Sequence, residues 1–110
     1  MLASGVLAAT AVAACSSSSS AGGAAQRQGC TAVADVLSDG PDPDADPVGY
    51  AEAQVLPLHQ LKVSDTKLRD VVDKLASAYQ AYASNGGRSL AAKVTSEENA
   101  LNAICPGAAP

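Results

Sequence analysis

The chain has no Phe and no Trp, and its aromatic residues are Tyr50, Tyr79 and Tyr82. Aromatic side chains bury more surface per residue than any others. Without them a core must be thin and built from Leu, Val, Ile and Ala. Much of the 47% hydrophobic content is Ala, some of it in a single run near the start. A core of this size seldom supplies more than ~3–5 kcal/mol, so a covalent staple is expected. Small side chains such as Ala76, Ala78, Ala91, Ala92, Ala100 and Ala103 would let helices approach closely.

Hydrophobic spacing predicts helices throughout. Cys30, Val33, Ala34 and Leu37 recur at i, i+3, i+4 and i+7, one apolar face of a short helix that stops at Ser38-Asp39-Gly40-Pro41. The rigid acidic loop 39–46 ends in Asp46-Pro47. Asp can cap free amides there, and Pro has its φ preset for a first helical turn. Val48, Ala51, Val55, Leu58 and Leu61 or Lys62 then share a side, with Pro57 inside, where a lost amide donor predicts a kink. After Ser64 comes the cleanest stripe: Leu68, Val71, Val72, Leu75, Tyr79 and Tyr82. Asp65/Arg69 and Asp70/Lys74 stand at i, i+4 in the favourable acid-first order. Asn85-Gly86-Gly87 terminates that helix.

The fourth stripe, Leu90, Val94, Leu101, Ile104 and Cys105, is weaker because Glu97 and Glu98 fall where an apolar turn should be. Thr95-Ser96-Glu97-Glu98 looks like a capping box, so a break near Thr95 is an alternative to one continuous helix. No period-2 alternation appears that would predict a sheet. The expected fold is all-α: a small up-down bundle of four helices, or three plus one short docked helix, with short connections between antiparallel neighbours.

The start of the chain carries a different signal. Leu2–Ala14 is uncharged. It is too short for the ~20 residues that cross a bilayer and fits the apolar region of a signal peptide. It closes on Val12-Ala13-Ala14-Cys15, followed by Ser16–Ser20. This pattern, an aliphatic residue, two small residues and Cys, resembles the lipobox of bacterial lipoprotein signals. With the Ala/Gly/Ser/Asp/Pro-rich usage, the whole resembles the small lipoproteins of actinomycete-type bacteria, whose activities are mostly unassigned. One departure is that such signals open on Lys or Arg, whereas the first basic residue here is Arg27.

The resemblance implies cleavage before Cys15 and acylation of that residue, by palmitate among other chains. The mature protein would then be exported and anchored to the outer face of the cell membrane. Two or three acyl chains on one residue hold firmly where one binds only marginally. The implied organisation is a signal peptide over 1–14, a lipidated, disordered Ser/Ala/Gly tether over 15–29, a helical domain over 30–105 and a tail over 106–110. With Cys15 committed to lipid, Cys30 and Cys105 remain. In an oxidising compartment they are expected to pair and tie the first helix to the last. Cys105-Pro106 also matches a haem-regulatory dipeptide, but no second axial candidate lies nearby, and no cofactor is expected.

Net charge is −4 with no basic stripe. Nucleic-acid binding needs clustered Lys and Arg and is excluded. Asp42, Asp44 and Asp46 alternate like the first half of a calcium loop. An EF-hand, however, needs Gly at its sixth position and Glu at its twelfth, and these positions hold Pro47 and Ala53. The three carboxylates remain weak candidates for irregular divalent-cation binding, with Asp39 beside them. His59 is the only histidine, and no nucleophile or orienting partner accompanies it. Tyr79 and Tyr82, three residues apart on one helix, are candidates to line an apolar ligand pocket.

The expected function is therefore a non-catalytic membrane-anchored module that binds a partner protein, a wall polymer or a small ligand. The alternative is a divalent-cation binder or sensor through loop 39–46, and an enzyme is the least supported reading.

Overall fold

The computed structural model describes residues 21–110; the leader, Cys15 and the serine run lie outside the described residues. It is a four-helix bundle: α1 (Ala21–Leu37), α2 (Pro47–Gln60), α3 (Thr66–Asn85) and α4 (Arg88–Ile104). α3 is the central element and packs extensively against both α2 and α4, whereas α1 packs more lightly on α2 and α3. Among the described residues there is no strand.

α1 begins at Ala21, upstream of the first apolar stripe. The tether expected over 15–29 is therefore corrected for residues 21–29, which are helical. Ala24, Ala25, Gln26, Arg27 and Gln28 are strong helix formers, and Gly29 gives their helix somewhere to dock. Gly29 is buried, and a Cβ built on it would lie 2.6 Å from Leu68 Cδ2. A side chain at position 29 would force the buried Leu68 to shift. Val33 and Leu37 carry the contact onward into the core. The helix stops at Ser38, whose amide and hydroxyl both donate to the Ala34 carbonyl.

α2 starts as its capping signal predicts. Asp46 Oδ1 accepts from the Gly49 amide at 3.0 Å, and Pro47 is the first helical residue. The helix runs through Pro57 to Gln60. The buried face is rotated from the expected one: Tyr50, Ala51, Gln54 and Leu58 are buried, Val55 is half-buried and Val48 is exposed. Two polar groups account for the rotation. The Tyr50 hydroxyl donates to the Leu37 carbonyl at 2.6 Å, and Gln54 Nε2 donates to the Asp39 carbonyl at 2.7 Å. These bonds satisfy the end of α1 and the loop after it, which Val48 could not do.

α3 matches its stripe: Leu68, Val72, Leu75, Ala76, Ala78 and Tyr79 are buried. Its cap is Asp65, accepting from the Leu68 amide at 2.8 Å. That role takes Asp65 away from Arg69, while Asp70 and Lys74 form the expected pair at 3.1 Å. Gly86 and Gly87 at φ 62° and 93° make the tight turn into α4, a backbone region that residues with a Cβ avoid.

α4 is continuous. Of the two alternatives, the break near Thr95 is not the one adopted: the Thr95 hydroxyl donates back to the Ala91 carbonyl within the helix and does not cap a new one. Cys105 caps α4 and is disulfide-bonded to Cys30, with Cα atoms 5.3 Å apart. The staple thus ties α1 to the end of α4. The tail expected over residues 106–110 folds back onto the body at Ala108 and Ala109. Ala108 and Ala109 are buried, and Asn102 both accepts from the Ala109 amide and donates to its carbonyl.

Candidate functional site

The three tyrosines meet. Tyr50 on α2 and Tyr79 on α3 stack edge to face, with centroids 5.9 Å apart and planes at 84°. Tyr82 lies one turn along α3 from Tyr79. Together they line a cleft of about 200 Å³ between α2, α3 and α4, whose other wall is Ala91, Val94, Thr95 and Glu98 of α4. Pro47 and Ala51 of α2, Pro43 and Asp44 of the acidic loop, and Pro110 of the docked tail complete its lining.

The floor is a hydrogen-bonded pair. Tyr79, 1% exposed, donates its hydroxyl proton to Glu98 Oε2 at 2.7 Å. Burial pushes the Tyr79 hydroxyl well above its ordinary range, and the carboxylate acceptor pushes it the same way. Burial also raises Glu98 above the usual carboxylate range, with the Tyr79 hydroxyl pulling it partly back. Tyr50 is pushed up to about 12 by burial, with Tyr79 pulling it partly back and the Glu98 charge adding a smaller rise. Tyr50 and Tyr79 therefore stay protonated at neutral pH, with their hydroxyls donating to the Leu37 carbonyl and to Glu98.

The site lies where three helices converge, so it combines one legible pair with two residues contributed from elsewhere. Tyr79 and Tyr82 are brought into it as their spacing predicts. Tyr50 joins them through the rotated face of α2. Glu98 is the residue that sequence reasoning misses. Its signal is the interruption of the α4 stripe: a charged group at an apolar position faces α3 because it has a partner there.

The other candidates are placed apart. Asp42 Oδ1 accepts from the Asp44 amide at 2.8 Å, and Asp46 caps α2, so two of the three loop carboxylates are engaged by local backbone. Among the described residues, no three His, Cys, Asp or Glu side chains are arranged to hold a metal ion. His59 is exposed in the last turn of α2 and does not line the cleft. Comparison with known proteins gives no match to a family model, a curated protein or a solved structure.

Proposed function

We propose that this protein is a non-catalytic lipoprotein, held on the outer face of the cell membrane by lipid on Cys15, whose helical body binds a small ligand in the tyrosine-lined cleft. The observation that carries the reading is the cleft itself. It is concave, and its lining combines tyrosine rings and aliphatic carbon with a few polar groups, Asp44, Thr95 and Glu98, which is the usual composition of a ligand site. The Cys30–Cys105 bond supports an oxidising compartment outside the cytoplasm. No described helix is long and apolar enough to cross a membrane, and in this reading the acyl chains do the anchoring.

Two measurements test it. Intact mass of protein extracted from native membranes is expected to show cleavage before Cys15 and added acyl mass. An unacylated chain retaining residues 1–14 would contradict the anchor. An NMR fragment screen is expected to move the amides of Tyr50, Tyr79, Tyr82 and Glu98 together. A screen that leaves all four unmoved would contradict the binding role.

A further inference from the structure

The cleft has a charge as well as a shape. Its two ionisable acids, Glu98 and Asp44, are carboxyl groups, and none of its lining residues is basic. The Glu98 carboxylate is half-buried and has the Tyr79 hydroxyl as its hydrogen-bond partner. Among the described residues the ion pair formed is Lys74–Asp70, which lines no part of the cleft. A half-buried carboxylate without a cationic partner is costly, and a bound cation relieves that cost.

The walls decide which kind of cation. A divalent metal ion takes six or more oxygen ligands, and carbon-rich walls with two carboxyl groups from separate elements do not supply them. Aromatic faces attract cations through the ring quadrupole, and alkyl-substituted ammonium ions also gain from leaving water. A volume of about 200 Å³ is below that of drug-sized sites, so the ligand, or the part of it that enters, is small.

We propose, building on the ligand-binding reading above, that the cleft holds an alkyl-substituted ammonium ion, with its charge beside Glu98 and Asp44 and its alkyl groups against the half-buried Tyr82 ring and Ala91, while Tyr50 and Tyr79, at most 3% exposed, stay packed in the core. An anion is repelled by both carboxylates, and a neutral molecule of the same shape leaves Glu98 without a counter-charge. The cation contributes both the apolar contact and the missing charge.

The test is a titration of the full chain, disulfide intact, with three probes of similar size: choline, its neutral analogue with a quaternary carbon in place of the nitrogen, and trimethylacetate. Calorimetry gives affinity and NMR gives location. Choline is expected to move the amides around Tyr79, Tyr82 and Glu98 and to bind about tenfold more tightly than the neutral analogue. Trimethylacetate is expected not to bind. Glu98→Gln keeps an acceptor for the Tyr79 hydroxyl and should weaken choline about tenfold while leaving the neutral analogue unchanged. Tyr82→Leu, at a half-buried position that keeps apolar volume, should weaken choline and spare the neutral analogue. If the neutral analogue binds as well as choline, or trimethylacetate binds, the ammonium proposal is overturned and the ligand cleft survives. If none of the three moves the cleft amides, the ammonium proposal falls, and a fragment screen equally silent there removes the ligand-binding reading with it.

Discussion

α1 and the α2–α4 unit are held in different ways. α3 lies between α2 and α4 and shares with them a continuous apolar core, including Leu58, Leu75, Tyr79 and Leu101, each at most 1% exposed. α1 adds Val33 and Leu37, a close approach at Gly29, and the covalent bond from Cys30 to Cys105. Much of its length is Ala, Gly and Gln, which bury little apolar surface. Three helices are thus held by packing, and the fourth depends on a staple. The cleft is built chiefly from the packed three, so the ligand site does not need α1 beyond the Leu37 carbonyl that receives the Tyr50 hydroxyl.

The largest expected effect comes from breaking the staple. The cysteines are 75 residues apart, and a closed loop of that length contributes ~4.5 kcal/mol in the chain-entropy model. Cys30→Ser with Cys105→Ser should lose much of this in urea denaturation, with a drop in helical circular dichroism as α1 frays. Next is Leu75→Ala, a truncation at a position with no exposure. It should cost ~3 kcal/mol and lower the whole transition, because it opens a cavity in the packed three.

Alkaline pH sharpens the comparison at Tyr50, which faces Tyr79 and Glu98 across the cleft floor. Its folded-state pKa is raised from 10.0 to about 12. Below 10 the group is protonated in both states and its stabilising contribution is fully present. Between 10 and 12 the unfolded chain releases the proton and the native one keeps it, so stability falls as pH rises, by roughly 1–3 kcal/mol. Tyr79 is shifted in the same direction and adds to the fall. Stability measured against pH should decline less steeply in Tyr50→Phe; an unchanged slope would place the alkaline loss elsewhere.

Smaller effects belong to single bonds. Asp46→Ala removes the cap of α2 and should cost ~1 kcal/mol by chemical denaturation. Tyr79→Phe should also cost ~1 kcal/mol and, by removing the hydroxyl that pulls Glu98 down, should raise the Glu98 titration midpoint seen by NMR. Because the Glu98 pKa is raised on folding, its contribution is fully present below the ordinary carboxylate range and is lost as pH rises through the shifted value. An unmoved midpoint in Tyr79→Phe would contradict the pair.

Much of the packed unit and the second half of α1, from Cys30 to Leu37, are legible in the sequence, and the start of α1 and half of the site are not. α3 is readable because its apolar residues keep a 3.6 period from Leu68 to Tyr82, and α2 because Asp46-Pro47 is a strong local start. The face of α2 is misread because Val48 and Tyr50 compete for the core. The outcome turns on two hydrogen bonds, from Tyr50 to Leu37 and from Gln54 to Asp39, that no periodicity encodes. The early start of α1 escapes because Ala21–Gln28 has no stripe, and its docking depends on Gly29 meeting Leu68 from another helix. Tyr79 and Tyr82 are visible as neighbours on one helix. Tyr50 and Glu98 reach them only through tertiary packing, and Glu98 reads in isolation as a flaw in α4.

Hydrogen exchange followed by mass spectrometry on the oxidised and reduced full chain tests the two-part construction most directly. Reduction should strip protection from α1, while α2, α3 and α4, with the tyrosines between them, lose much less and stay protected. Uniform loss of protection in all four helices, or an α1 indifferent to reduction, would contradict the division between a packed unit and a stapled helix.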